Sequence, residues 1–460
     1  MTEEASSGGP DLVERGSVIV APEAATPPGD LRKRALASVL WALCLQGSSH
    51  FLRLANNLIL TRLLFERAFG VMAIINICIE GMRMVTDVGI NFSVIQSKRV
   101  DDPAFLDTAW TIHMLRGVVM WLVLCALAWP LAGFYSEPEL MFMLPVAGLT
   151  TVVGGFSSLT MLTRNRELRM GRVVAVELTT QFGSAFLIWA VAWFWSSAWV
   201  LVFGLIFTEA ARTTLSYVLL PGRHRFRWEK QARAEIMAFG RFTQVSSMLT
   251  FTARQIDRLL LGRLLSVRDL GIYNIGAFWG SSIAEIGADQ AMRVGIPLLA
   301  EVHRGDQSRL YASLRRMRLS IVWPIGLGLC VLSAIGSWLV HFLYDPRYHE
   351  AGWMLRILAA GYVVFVLNVS AEVVWVTLAD GKRMVQVNAA RVVGKLTATL
   401  TGYWWNGEVG LVVGVALSDL LIYPLLSWWL WRRKLWQPEV DLPFLAVCSA
   451  VLAAGWAWVP

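Results

Sequence analysis

Charge is the first thing this chain lacks. Asp, Glu, Lys and Arg together make up 16% of its 460 residues, against about 25% in soluble domains. Hydrophobic residues make up 56%, more than a single soluble core can use, so the excess belongs against lipid. Cysteine is scarce as well. The five cysteines, Cys44, Cys78, Cys125, Cys330 and Cys448, all sit in apolar runs without a CxxC pair, which excludes a disulfide framework and a thiolate metal site. A phosphate loop is missing, because Gly394-Lys395 is followed by Leu396 where Ser or Thr is required. There is no HExxH and no Cys/His cluster. Long polar connections are missing too. Pro221–Ala234 is too short to fold as a catalytic domain, and Ser196–Ser197, Asp345–Glu350 and Asn406–Glu408 are shorter still. These absences argue against an enzyme and against any resident metal or cofactor. They leave an ion gradient, a substrate gradient or another protein as the energy source.

What remains is a series of apolar stretches of about 20 residues, the length that crosses a bilayer. They lie near 35–64, 69–95, 105–134, 140–162, 172–195, 198–220, 235–265, 270–300, 312–343, 352–378, 384–405 and 408–431, with a thirteenth near 442–459. Several of the 22 tryptophans, among them Trp129, Trp195, Trp228, Trp353, Trp404 and Trp436, fall near span ends, where indole favours the headgroup layer. Residues 1–34 are rich in Pro, Gly, Ala and acidic side chains. They read as a disordered cytoplasmic tail, whose apolar run Val18–Ala21 is too short for a signal-peptide core.

The net charge of +8 reads as a topology signal, not as a nucleic-acid footprint. Alternate connections, starting with the N-terminus, hold 24 basic residues from Arg32 to Lys434, whereas the others hold three: Arg67, Arg268 and Arg347. Basic residues stay cytoplasmic, so the N-terminus is expected inside.

The run from Arg53, RLANNLILTRLLFERAFGV, aligns without gaps on the run from Arg254, RQIDRLLLGRLLSVRDLGI, at an offset of 201 with eight identities in 19. The copies begin at the first and seventh spans. An even number of spans separates them, so the repeats are parallel and predict two similar lobes with a central site between them. The expected organisation is a tail over 1–34, a six-helix lobe over 35–222, a second over 223–434 and one more helix over 435–460. The fold class is an all-α polytopic membrane protein.

An ionisable side chain at mid-bilayer costs about 2.5–3.5 kcal/mol on insertion scales, so it faces a cavity or a partner. Arg53, Asn56 and Asn57 share one helical face, as do Arg254, Asp257 and Arg258 at the matching place in the repeat. Glu80, Arg83 and Asp87 form another face, and Glu285, Asp289 and Arg293 a fourth. His113, Arg116, Glu372, Arg391 and Lys395 complete the set. The plain reading is pairing along each helix: Glu80–Arg83, Asp257–Arg258, Asp289–Arg293. The functional reading is a cationic cavity for an anionic ligand such as a phosphate, in which Arg53, Arg116, Arg254, Arg258, Arg391 and Lys395 bind substrate. Asp87, Glu285, Asp289 and Glu372 are then candidates for Na⁺ or H⁺ coupling. Gly276-xxx-Gly280 and Gly410-xxx-Gly414 permit close helix contact.

Three of these stretches, LTRLLFERAFGVMAI, DVGINFSVIQSK and DRLLLGRLLSVRDLGIYNIG, resemble the signatures of the polysaccharide transporter family, the Wzx-type oligosaccharide flippases of the MOP exporter superfamily. The resemblance implies two six-helix lobes arranged as a V. It implies transfer of undecaprenyl-diphosphate-linked sugar repeats from the cytoplasmic to the outer leaflet of a bacterial inner membrane. The partners implied are the lipid-linked glycan, membrane lipid and polysaccharide polymerase machinery. An odd span count departs from the even counts of the family. Alternatives are a cation-coupled multidrug exporter of the same superfamily, a membrane polymerase, ligase or glycosyltransferase, and a non-catalytic component of an export assembly. Short loops count against the enzymes. An acidic cavity would suit the drug exporter.

Overall fold

The computed structural model describes residues 28–458 apart from 87–89, 91–92, 95–96, 98, 100–101, 167–169, 221, 223, 304–306 and 379. Of the tail expected over 1–34, residues 1–27 lie outside the described residues, whereas 28–34 already belong to the first helix, which begins at Pro28. The chain is helical throughout its crossings: α1 (Pro28–Leu63), α2 (Glu66–Val85), α3 (Pro103–Tyr135), α4 (Leu140–Gly155), α5 (Met170–Phe194), α6 (Ala198–Val218), α7 (Lys230–Leu264) and α8 (Val267–His303). Then follow α9, built from Gln307–Met317, a π turn at Arg318–Val322 and Trp323–Leu343, and α10 (Ala351–Thr377), α11 (Gly381–Arg432) and α12 (Pro438–Trp458).

Local chemistry sets several boundaries. Asp102 accepts a hydrogen bond from Ala104 N at 2.9 Å while Pro103 opens α3, the standard arrangement for an N-terminus with orphan donors. Ser136, in the left-handed region at φ 57°, ends it. Helix α11 runs for 52 residues but breaks at Asn406 and Gly407, where Gly407 takes φ 53°. Only a residue without Cβ adopts that turn freely, so α11 crosses twice. Its two limbs pack so closely that a Cβ on Gly414 would lie 2.1 Å from the Ala398 carbonyl oxygen, which places Gly410-xxx-Gly414 on a helix contact.

With α11 counted twice, thirteen crossings are present among the described residues. Eight helices are long and apolar enough to cross a membrane by composition, and α4 is apolar but shorter. The remaining three, α1, α7 and α8, are long but are not among those eight. They run along the seam between the halves, where cavities replace lipid.

Packing repeats as the sequence does. In the first half α1 packs on α5, α2 on α4, α3 on α4, α4 on α6 and α5 on α6. In the second, α7 packs on α11, α8 on α10, α9 on α10 and α10 on α11. This is an all-α polytopic membrane protein of two six-helix lobes related by a parallel pseudo-repeat, with α12 added against α9. The anchor of α12 is buried. Arg318 Nη1 donates to Asp441 Oδ1 at 2.8 Å and its Nε to Ser370 Oγ at 3.1 Å. The sequence places Arg318 among the loop cations, whereas the π turn swings it into the bundle, where it is 1% exposed.

The halves meet at the end of the bundle that carries the α1–α2 and α7–α8 turns. A Cβ on Gly70 would lie 1.8 Å from the Val267 carbonyl oxygen, and one on Gly271 2.2 Å from that of Glu66. Beside this crossing the Tyr348 hydroxyl donates to the Leu64 carbonyl at 2.9 Å. Tyr344 donates to Asn57 Oδ1, and Trp279 Nε1 donates to Tyr344 at 2.9 Å. The opposite, basic end has its own strap. Arg99 bridges Asp102 at 2.6 Å and Glu229, just before α7, at 2.9 Å. The Arg99 guanidinium holds the Asp102 carboxyl below its ordinary range, and the Ala104 amide adds to this.

Candidate functional site

Between the halves lies a cavity of about 610 Å³. Its wall is drawn from α1, α2, α4, α6, α7 and α8, and Asn57 in that wall accepts the Tyr344 hydrogen bond described above. Two arginines face it, Arg83 from α2 and Arg258 from α7. Arg258 Nη1 donates to Gln255 Oε1 at 3.1 Å, and neither arginine has a carboxylate within ion-pair distance among the described residues. Asn57, Asn76, Gln255 and Asn274 add carboxamides, and Glu80 and Glu209 add two carboxylates. The cavity is therefore polar and mixed in sign, where the sequence suggests a cationic one.

The predicted substrate residues separate into distinct places. Arg258 lines this cavity. Arg116 lines a second space inside the first half, where it donates to the Arg83 carbonyl at 2.5 Å and to Thr86 Oγ1 at 3.1 Å. Arg53 lies in a groove between α1 and α8 with Glu285, Asp289 and Arg293, and donates to the His50 ring at 3.0 Å. Arg391 is buried, 2.5 Å from Glu372 and 3.5 Å from Asp419. Lys395 lies 3.7 Å from Asp257. Asp87 and the Arg254 side chain lie outside the described residues. The structure thus brings Arg391 and Lys395 to carboxylates on other helices, and not to the seam cavity.

The same holds for the coupling candidates. Glu372 is committed to Arg391, whereas Glu285 and Asp289 stay in the α1–α8 groove, where Gln46 Nε2 donates to Asp289 at 3.3 Å. None of the three pairings along a single helix forms an ion pair among the described residues; Asp257 meets Lys395 of α11 instead, and the others face the seam cavity or the α1–α8 groove. Sequence reasoning overlooks Asn76, Glu209, Gln255 and Asn274. A signal exists for Asn76, since Asn76, Glu80 and Arg83 recur at i, i+4 and i+7 and so share a face. Glu209 shares its span with Arg212 at i, i+3, a spacing that could have flagged both.

A family model described as polysaccharide biosynthesis protein matches residues 59–352. The chain is 22% identical to an uncharacterized membrane protein in the cps region of Klebsiella pneumoniae, over 85% of this chain and 82% of that one. It is 21% identical to the lipopolysaccharide biosynthesis protein WzxC of Escherichia coli strain K12, over 92% of this chain and 88% of that one. Among solved structures, the lipid II flippase MurJ in an inward closed conformation superposes with a TM-score of 0.68, covering 90% of this chain and 92% of that chain at 10% identity. An inward-facing multidrug resistance MATE family transporter of the MOP superfamily gives 0.63, covering 83% and 93%, also at 10% identity. At such identities the solved structures speak for the fold: two lobes around a seam. The family match runs from the last turns of α1 to the start of α10 and takes in most of the seam cavity, and on that extent the chain belongs to the family of polysaccharide biosynthesis proteins.

Proposed function

We propose that this chain is a flippase that moves oligosaccharide or polysaccharide repeat units, linked to undecaprenyl diphosphate, from the cytoplasmic to the outer leaflet by alternating access. The observation that carries this reading is the seam cavity. It sets two arginines, without carboxylate partners among the described residues, beside the carboxamides of Asn57, Asn76, Gln255 and Asn274. Guanidinium groups present planar forks of donors to diphosphate oxygens, and carboxamides offer donor and acceptor together to sugar hydroxyls. The printed names of the relatives, lipopolysaccharide biosynthesis and lipid II flipping, are consistent with it.

On this reading the chain lies in the inner membrane of a bacterium, the basic end and the N-terminus face the cytoplasm, and the closed end faces out. The work is translocation without covalent chemistry. Partners are the lipid-linked glycan, the surrounding lipid and the polymerase machinery that uses the product. Na⁺ or H⁺ coupling falls to Glu285 and Asp289, the two candidates left in an open groove. Cation-coupled drug export is the second reading, favoured by Glu80 and Glu209 in the cavity wall.

Proteoliposomes carrying a labelled undecaprenyl-diphosphate disaccharide test the proposal, with flipping read from label accessible to an added lectin. Charge-assisted hydrogen bonds contribute about 1.5–3 kcal/mol, so Arg83→Ala and Arg258→Ala each lower the rate by roughly ten- to a hundredfold, at unchanged thermal stability. Full rate in both variants would sink the arginine site; no flipping by the parent, or export of a lipophilic cation in place of the lipid, would sink the flippase reading.

A further inference from the structure

Six ionisable side chains of the first half gather around a second cavity, of about 480 Å³, among α2–α6: Arg83, His113, Arg116, Glu177, Glu209 and Arg212. That volume falls within the roughly 300–1,000 Å³ of pockets that hold drug-sized ligands. Arg83, Thr150 and Glu209 belong to the walls of both this space and the seam cavity, so the two adjoin through them.

Pairing explains only part of this cluster. Arg212 meets Glu177 at 2.5 Å, and Arg116 is held by Thr86 and the Arg83 carbonyl. Glu209, at the junction, has no hydrogen bond or ion pair among the described residues. His113 Nδ1 and Arg212 Nε have no hydrogen-bond partner there either. A Cβ on Gly154 would stand 2.7 Å from Glu209 Oε1, so the glycine leaves room for that carboxylate. Unmatched polar groups inside a membrane lobe are costly and call for a ligand that supplies the missing partners.

The ligand must donate hydroxyls, because a carboxylate accepts only. It must also bring no negative charge of its own to Glu209. We propose that this cavity receives the first, uncharged sugars of the lipid-linked glycan, while the diphosphate stays at Arg83 and Arg258 in the seam. The inference rests on the flippase reading and adds to it a place and a chemical class for the sugar.

Binding to the full chain in nanodiscs tests it with three probes: undecaprenyl diphosphate, the same lipid bearing N-acetylglucosamine, and the same lipid bearing glucuronic acid. The N-acetylglucosamine lipid is expected to bind roughly tenfold tighter than the bare lipid, the effect of one hydrogen bond to a charged acceptor. The glucuronic acid lipid is expected to gain nothing. Glu209→Gln and Met161→Trp, the latter filling the space from its wall, each bring the ratio of sugar-bearing to bare affinity close to one. Equal affinity for the bare and N-acetylglucosamine lipids in the parent would overturn the proposal alone. So would an advantage that survives both substitutions, or a glucuronic acid lipid that binds as tightly as the neutral one. No binding of the bare lipid would overturn the diphosphate site at Arg83 and Arg258, and this proposal with it.

Discussion

The two halves share a helix plan but use many of their charges differently. In the second half the charges on α9–α12 are matched: Arg391 with Glu372 and Asp419, Lys395 with Asp257, Arg318 with Asp441. Those on the seam helices, Arg258 on α7 and Glu285, Asp289 and Arg293 on α8, line the seam cavity and the α1–α8 groove. In the first half Glu80, Arg83 and Glu209 face open space inside the lobe as well as at the seam, and Arg212–Glu177 is the matched exception. A charged residue in a span is therefore glue inside the second lobe and lining in the first lobe and along the seam. The difference lies in what the neighbouring helix brings, not in the residue type or its depth.

The comparison breaks most visibly at Arg391. Arg391→Ala leaves Glu372 and Asp419 without their cation in a dry site and is expected to destabilise the protein by about 3–5 kcal/mol. Arg83→Ala, in a wet cavity, is expected to leave stability unchanged while transport falls. Unfolding in detergent followed by tryptophan fluorescence reads both, and similar losses would abolish the distinction between the halves. A smaller effect is expected at the closed end. Tyr348→Phe removes one hydrogen bond across the halves, worth about 1 kcal/mol, which shifts the closed–open balance roughly fivefold. Distance distributions between spin labels on the α1–α2 and α9–α10 turns measure that shift, and an unchanged distribution would show that the aromatic packing alone holds the seam. The smallest effect belongs to the basic end. Asp102 is held below its ordinary range, so its contribution to the strap is complete above the usual carboxylate pKa and fades as pH falls through its lowered value. Proteolysis near residues 97–102 should accelerate below about pH 4, the ordinary carboxylate range. Arg99→Gln should remove that acid dependence.

Much of the fold was legible because lipid imposes a strong rule on sequence. Apolar length marks the spans, the alternation of basic connections supports their count, and the Arg53 and Arg254 runs reveal the duplication. The repeat marks α1 and α7 in addition to their length. The site was less legible. Whether Arg391 binds substrate or Glu372 depends on how α10 and α11 pack, which no spacing within one helix encodes. Arg258 was recoverable because it faces the seam from a helix that the repeat singles out. Arg318 misleads because a π turn changes the face it presents. Glu209 gains its importance from Gly154 on a different helix, which its own span does not encode.

The contact between Gly70 and Gly271 has a further consequence. Glu66 and Gly70 in the first copy occupy the places of Val267 and Gly271 in the second. Each glycine rests on the carbonyl at its counterpart's helix start, so the contact is reciprocal, in the way an isologous dimer interface is self-complementary. A chain made of either lobe alone would carry the surface needed to meet its own copy at that point. The single polypeptide is arranged there as a covalently joined homodimer, free to vary everywhere else between its two halves.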